Sequence, residues 1–231
     1  MIGIIGAMSV EMEKLISLTE EKEEITAGSI RFTRGKLFGT EAVLVICGIG
    51  KVFAGICAQT MILTFHPELI INVGVGGTLT DKLSVTDIAI ASALVQHDMD
   101  TSPLGDPVGL ISGINIVEIP CDKAMASLLE KAAAELNIRT AQGVIASGDQ
   151  FIASATQKER IIKNFGAIAC EMEGAAIGQV CYVNKVPVAV VRAISDSADG
   201  SAELSYGEFT KVAAENSAKV LECFCRLYAQ K

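Results

Sequence analysis

The stretch Leu69-Ile-Ile-Asn-Val-Gly-Val-Gly-Gly77 decides how this chain is read. From Leu69 to Val75 it is an almost unbroken apolar run. A strand with no alternating polar positions is buried on both faces, and such a strand needs helices above and below its sheet. Working outward, similar runs open the chain at Met1 to Ile5 and return at Pro187 to Ile194. After the first run, Gly6 marks a tight turn, and Met8, Met12, Leu15 and Ile16 then fall at helical spacing across Ala7 to Leu18. Strand, turn and helix are expected there.

The rest of the chain continues the alternation. Ile25 to Leu37 and Glu41 to Cys47 alternate as strands do, with Phe38-Gly39-Thr40 as the turn between them. Helices are expected over Lys51 to Phe65, Asp122 to Leu136, Thr156 to Asn164, Glu173 to Val183 and Tyr206 to Tyr228. Further strands are expected over Asp87 to Val95, Ile114 to Ile119, Gln142 to Ser147 and Ala167 to Cys170. Gly74 to Gly77 is read as ending its strand, His97 to Gly113 as a long irregular loop, and Ser195 to Ser205 as loop. Consecutive strands near the start require a mixed sheet. The expectation is an α/β fold of three layers, αβα with a central mixed β-sheet, as one domain over residues 1–231.

Charge and composition exclude several classes of function. Against 27 acidic residues stand 19 basic ones, a formal charge of -8, with no run of Lys or Arg. Nucleic acid and anionic membranes are therefore unsuitable partners. Seven cysteines are scattered through apolar stretches and never form C-x-x-C, a pattern that suits packed thiols in a reducing compartment. With His66 and His97 as the only histidines, a zinc set is hard to assemble, and no metal site is expected. Met1 to Gly6 lacks the features of a signal peptide, and no apolar run reaches membrane-spanning length. A cytoplasmic protein is expected.

Polar clusters at strand ends are where a ligand belongs in such folds. Gly48-Ile-Gly50-Lys51 precedes a helix, but Val45 and Val52 occupy positions where a phosphate-binding Walker loop needs Gly and Ser or Thr. Tight strand-to-helix turns explain it better, turns that can still bring backbone close to a small ligand. His97-Asp98-Met99-Asp100 reads as a polar loop anchor. Glu171-Met172-Glu173 ends one apolar strand and opens a helix, where acids are common for dipole reasons alone. Arg192-Ala-Ile-Ser195-Asp196 ends another. Two carboxylate clusters at two strand ends suit a sugar-binding, acid-assisted site better than packing does. Glu11, close behind Gly6, is either a surface acid or a third member. Phe151 is either a core anchor or a stacking face for a flat base.

Taken in order, Gly3-Ile-Ile-Gly-Ala-Met-x-x-Glu11, Gly48-Ile-Gly-Lys51, Ser147-Gly-Asp-x-Phe-Ile152, Glu171-Met-Glu173, Arg192-Ala-Ile-Ser-Asp196 and Leu204-Ser-Tyr-x-Glu-Phe209 resemble the bacterial 5'-methylthioadenosine/S-adenosylhomocysteine nucleosidases. The likeness covers nearly the whole chain. It implies the nucleoside phosphorylase-like fold, a homodimer, no metal or organic cofactor, and hydrolysis of both nucleosides to adenine and a thioribose product, within methionine salvage. By position, the resemblance makes Asp196 the acid at N7 of adenine, with Ser195 beside it. Glu173 and Met172 hold the ribose hydroxyls, and Glu11 binds the attacking water. Phe151 stacks on the base, whose edge the Ile152 backbone reads. Met8, Ile49 and Tyr206 lie by the sugar and thioether, Arg192 is a supporting residue, and Leu104 belongs to the partner's 5' pocket. Val75 is a departure, since many family members carry Ser there, near the sugar and water.

Three rival readings stand beside this one. A purine nucleoside phosphorylase needs a donor-rich phosphate cradle, for which only Arg192 is at hand. An aminofutalosine nucleosidase would use the same residues on a different 5' group. A non-catalytic binding protein of this fold has no need to keep Asp196, Glu173 and Glu11.

Overall fold

The computed structural model describes residues 1–199 and 202–230, apart from the side chains of 202–205, 207 and 208. Ten strands form one mixed sheet. In chain order they are β1 (Ile2–Gly6), β2 (Glu20–Ala27), β3 (Ile30–Leu37), β4 (Thr40–Ile46), β5 (Leu69–Thr78), β6 (Ile88–Gln96), β7 (Ile119–Pro120), β8 (Thr140–Ser147), β9 (Ala169–Glu171) and β10 (Val188–Asp196). The α-helices are α1 (Ser9–Leu18), α2 (Lys51–Phe65), α3 (Lys123–Glu135), α4 (Ala155–Phe165), α5 (Gly174–Asn184) and α6 (Ala202–Tyr228).

Burial explains the layering. Along β1, β5 and β10 alternate residues point to opposite faces, and both faces are apolar. Ile4, Ile71, Val73, Ala189 and Val191 meet Met12 and Leu15 of α1, Leu129 of α3 and Leu221 and Phe224 of α6. Ile5, Ile70, Val188 and Val190 meet Cys57 and Met61 of α2 and Ile177 and Cys181 of α5. The three layers expected from the sequence are present. One feature was not legible: β5 pairs with β1, β9 and β10, and β10 pairs with both β5 and β6. With β6–β8 and β8–β9 pairing as well, the strands β5, β10, β6, β8 and β9 close into a ring, from which β1, β4, β3 and β2 extend.

Four local readings are corrected. Ile25 to Leu37 is two antiparallel strands, β2 and β3, because Gly28-Ser29 turns the chain between them. At the next hairpin Phe38 and Gly39 both have positive φ, 50° and 81°, the turn geometry that matches the twist of paired strands. Ile114 to Ile119 is mostly irregular, with a bridge from Ile111 to Ile116, and only Ile119–Pro120 joins the sheet. The glycines Gly74 to Gly77 do not end β5, which runs on to Thr78; they thin the strand so that neighbours can approach it. The stretch Ser195 to Ser205 is shorter as a loop than expected, since β10 reaches Asp196 and α6 begins at Ala202; Gly200 and Ser201 lie outside the described residues.

All seven cysteines are free thiols; Cys47 and Cys223 are half-buried and the others buried. Among the described residues no helix is long and apolar enough to cross a membrane.

Two glycines should respond in opposite directions. A Cβ on Gly76 would sit 2.8 Å from the Cys170 carbonyl oxygen, and backbone cannot easily yield. Gly76→Ala is expected to lower unfolding free energy in urea by about 1–3 kcal/mol. Gly55, inside α2, has only Val180 Cγ2 at 4.0 Å, so Gly55→Ala should raise it by about 0.5–1 kcal/mol. An unchanged midpoint for Gly76→Ala would mean that β9 moves aside.

Candidate active site

The carboxyl ends of β1, β5, β9 and β10, together with the loop after β8, surround a cleft of about 280 Å³. Its walls include Met8, Glu11, Ile49, Val75, Phe151, Ile152, Met172, Glu173, Ser195, Asp196 and Tyr206. Two residues singled out in the sequence lie elsewhere. Arg192 is behind the wall, fully buried. Leu104 is 83% exposed in the loop after β6 and does not reach the cleft of its own chain.

Each carboxylate is placed by backbone. Glu11 is near the start of α1, where its Oε2 accepts from the N–H groups of Ala7 and Met8, both at 2.9 Å. Its Oε1 accepts from Val75 N at 3.0 Å. Burial pushes its carboxyl above the ordinary value, against the pull of Arg192 and those three N–H groups. Asp196 ends β10. Ser195 Oγ donates to its Oδ2 and Ala198 N to its Oδ1, both at 2.8 Å. Burial raises this carboxyl too, outweighing the two hydrogen bonds.

Glu173 sits immediately before α5, with its Oε1 accepting from Gly50 N at 2.9 Å. Burial and then the neighbouring Glu171 push its carboxyl up to about 7, with Arg192 and the Gly50 N–H opposing. Glu171 takes the opposite course. Burial works against its charge, but Arg192, Ser147 and the Gly174 N–H outweigh it, and the carboxyl is held below its ordinary value. Arg192 hydrogen-bonds Glu171 and the Asn72 side chain, while its Nη2 lies 3.8 Å from Glu173 Oε2. Glu171 is thus the ionised partner of the buried guanidinium, and Glu173 is the carboxyl able to carry a proton near neutrality.

Glycines make this crowding possible. A Cβ on Gly74 would meet Glu11 Oε1 at 2.6 Å, and one on Gly77 would meet Asp196 Oδ1 at 2.6 Å. Val75 donates its N–H to Glu11 and lines the cleft as an apolar residue. At the opposite end Phe151 and Tyr206 pack edge to face with centroids 5.4 Å apart, and Tyr206 Oη donates to Met8 Sδ at 3.3 Å.

Sequence reasoning had no role for Glu171, Gly76, Gly77, Gln150 or Cys170, all of which line the cleft. Glu171 was visible only as part of a motif, and the glycines were taken for a strand break. The segment His97 to Asp100 does anchor loops: Lys51 Nζ pairs with Asp98 Oδ1 at 2.6 Å, and Asp149 N donates to Asp98 Oδ2 at 3.0 Å.

The fold and the cleft together define an enzyme of the phosphorylase superfamily, whose sequence pattern matches residues 1–226. The 5'-methylthioadenosine/S-adenosylhomocysteine nucleosidase of Staphylococcus haemolyticus is 40% identical over 228 residues, 98% of this chain and 100% of that protein. The aminodeoxyfutalosine nucleosidase of Helicobacter pylori is 39% identical over 96% of each chain. Among solved structures, the methylthioadenosine/adenosylhomocysteine nucleosidase of Neisseria meningitidis, in complex with methylthio-immucillin-A, superposes with a TM-score of 0.94 at 34% identity, covering 98% of each chain. The chain belongs to the phosphorylase superfamily and, within it, to the family of the 5'-methylthioadenosine/S-adenosylhomocysteine nucleosidases. It is a nucleosidase, a hydrolase of N-ribosyl bonds.

The state of Glu173 sets a stability trade-off. Its carboxyl rises from 4.5 to about 7 on folding, so the folded state favours the protonated form. That advantage is complete below 4.5 and is lost as the pH rises through about 7, where an ionised carboxylate is left buried. Glu173→Gln should therefore raise the unfolding free energy at pH values above about 8 by roughly 1–3 kcal/mol. At pH 4 the variant and the parent should melt together. Equal melting temperatures at both pH values would show that Glu173 is not perturbed.

Proposed function

We infer that the protein hydrolyses the N-glycosidic bond of 5'-methylthioadenosine and of S-adenosylhomocysteine, releasing adenine and leaving 5-methylthioribose or S-ribosylhomocysteine. The observation that carries this reading is the charge of the cleft. Among the described residues that line it there are four carboxylates and no Lys, Arg or His, and the nearest guanidinium, Arg192, is spent on Glu171 and Asn72. Such a site repels a phosphate nucleophile and favours a cationic sugar.

In this reading Asp196 gives its proton to N7 of the base, so that adenine departs as a neutral molecule with the electron pair of the broken bond. Burial, which lifts this carboxyl, supports its service as an acid. The ribosyl carbon gains oxocarbenium character, which Glu173 and Glu11 stabilise. Water, held by Glu11, adds to that carbon and passes a proton to the carboxylate. Glu173 and Met172 engage the ribose hydroxyls, Ser195 steadies Asp196, and Arg192 holds its neighbours in place from behind. Phe151 covers one face of the base, and Ile152 reads its edge through the backbone. Met8, Ile49 and Tyr206 enclose the thioether, and the Val75 side chain lies against the sugar.

A symmetric dimer completes the proposal. Val52, Ile56 and Leu63 form an exposed apolar row on α2, and Leu104 is exposed on its loop; a second copy would cover the row and receive Leu104 at its own 5' pocket. Seven free thiols suit a reducing, cytoplasmic setting. A second reading, cleavage of an aminodeoxyfutalosine, is favoured by the Helicobacter pylori relative and by Ile49, a cleft-wall residue that is itself 54% exposed, so that side of the cleft is open to solvent.

Incubation with 5'-methylthioadenosine, with and without phosphate, is expected to yield adenine and free methylthioribose in both cases; a phosphate-dependent sugar 1-phosphate would replace hydrolysis by phosphorolysis. Asp196→Asn should bind nucleoside yet lose about two to four orders of magnitude in kcat. Leu104→Asp should weaken methylthioadenosine binding more than adenine binding. Equal weakening of both would remove Leu104 from the 5' pocket, and sedimentation of a fully active monomer would remove the dimer.

A further inference from the structure

The loop Gly48–Gly50 touches Glu173 but is itself held from outside the cleft. Gly50 N donates to Glu173 Oε1 at 2.9 Å. The next N–H, that of Lys51, donates to Asp149 Oδ1 at 2.8 Å. Asp149 in turn has its own N–H on Asp98 Oδ2 at 3.0 Å, and Asp98 Oδ1 takes the Lys51 ammonium at 2.6 Å. Lys51 Nζ also reaches Gln96 Oε1 at 3.1 Å. The turn fits no other residue at its apex. Gly50 has φ +98°, and a Cβ there would lie 2.9 Å from Asp149 Oδ1.

Asp149 stands two residues before Phe151 and three before Ile152, both on the cleft wall. The exposed carboxylate therefore joins the segment facing the base to the turn that grips the ribose-side carboxylate. We propose that Asp149 is a positioning residue: braced by the Asp98–Lys51 pair, it holds the Gly48–Gly50 turn so that the Gly50 N–H fixes one oxygen of Glu173 and keeps that carboxyl aimed at the sugar. The proposal rests on the nucleosidase reading of the site.

A fixed N–H favours the charged form of the carboxylate that accepts it. Around Glu173 the other charged and titratable groups are Glu171 and Glu11, which disfavour its charge, Arg192, which favours it, and Cys47 and Tyr206, which feel it. With Glu173 near 7, loss of the Gly50 N–H moves its titration to higher pH, and the acid limb of the rate profile moves with it.

The test compares Asp149→Ala, Asp149→Asn and Lys51→Met with the parent enzyme. Measured are kcat/KM for methylthioadenosine against pH, adenine affinity, and the Glu173 carboxyl titration by carbon-13 NMR. Asp149→Ala should lower kcat/KM at pH 7 by roughly tenfold or more, a loss in keeping with a misplaced catalytic group. Its acid limb and its Glu173 titration should both move to higher pH, with adenine affinity unchanged. Asp149→Asn, which keeps an oxygen for the Lys51 N–H, should restore most of the rate and the parental limb. Lys51→Met should shift the limb in the same direction by less. An unmoved titration in Asp149→Ala overturns the proposal, as does failure of Asn to restore the limb. If Asp149→Ala does not fold, an unmoved limb in Lys51→Met overturns it. A parent enzyme that releases no adenine defeats the nucleosidase reading instead, and the titration still decides the role of Asp149.

Discussion

One buried cation among four buried or nearly buried carboxylates is the constraint on which the rest of this structure depends. Arg192 is 1% exposed, and a guanidinium taken so far out of water must be paired and fully hydrogen-bonded. Glu171 does the pairing. Ser147 and the Gly174 N–H hold Glu171 in its turn, and Asn72 takes another guanidinium donor. These groups come from the middle of β5 and β10, the ends of β8 and β9 and the start of α5, so the pair also fixes the relative positions of the strands that bear the site. The sheet's closure into a ring brings β8 and β9 back beside β5, where this pairing is possible.

Because Arg192 is committed to Glu171, the remaining acids are left under-compensated. Glu173, Glu11 and Asp196 are all shifted upward by burial, and Glu173 is shifted further by Glu171. A fully neutralised site would have stable, inert carboxylates. The shortage of positive charge leaves Glu173 able to carry a proton near neutrality and lifts Glu11 and Asp196 above ordinary carboxyls, and all three gain when a cation forms between them. The same imbalance costs folding stability at neutral pH, a burden a site bears when its chemistry needs it.

The fold was legible in the sequence wherever burial alone determines structure. Leu69 to Val75, Met1 to Ile5 and Pro187 to Ile194 are strands because both faces must be apolar, and helical spacing located α1 through α6 to within a few residues. What escaped was long-range or steric. Ring closure depends on pairings between β5 and β10 and between β5 and β9, which leave no periodic trace. Gly74 to Gly77 looked like punctuation because a missing Cβ reads alike in a turn and in a strand pressed against neighbours. Ile114 to Ile119 has strand composition but lies in a loop pinned by one bridge. Of the site, the residue order of the motifs brought Met8, Glu11, Ile49, Phe151, Met172, Glu173, Asp196 and Tyr206 to one cleft. The division of labour between Glu171 and Glu173 was invisible, since two acids two residues apart differ only in what each meets after folding.

That difference decides what kind of nucleophile the cleft admits. A phosphate ion approaching the sugar would need donors to replace its hydration, and the strongest donor at hand already faces Glu171. To release Arg192 for phosphate would strand Glu171 as a buried, unpaired carboxylate, which is strongly unfavourable. Water carries no charge into the site, accepts a hydrogen bond or gives one, and needs only a carboxylate to orient it and take its proton. Glu11, the carboxylate given that task in the proposed function, has both oxygens held by backbone N–H groups. Choosing Glu171 as the partner of Arg192 therefore does two things at once. It anchors the strands, and in the proposed function it leaves the cleft, among the described residues, without a free cation for an anionic nucleophile.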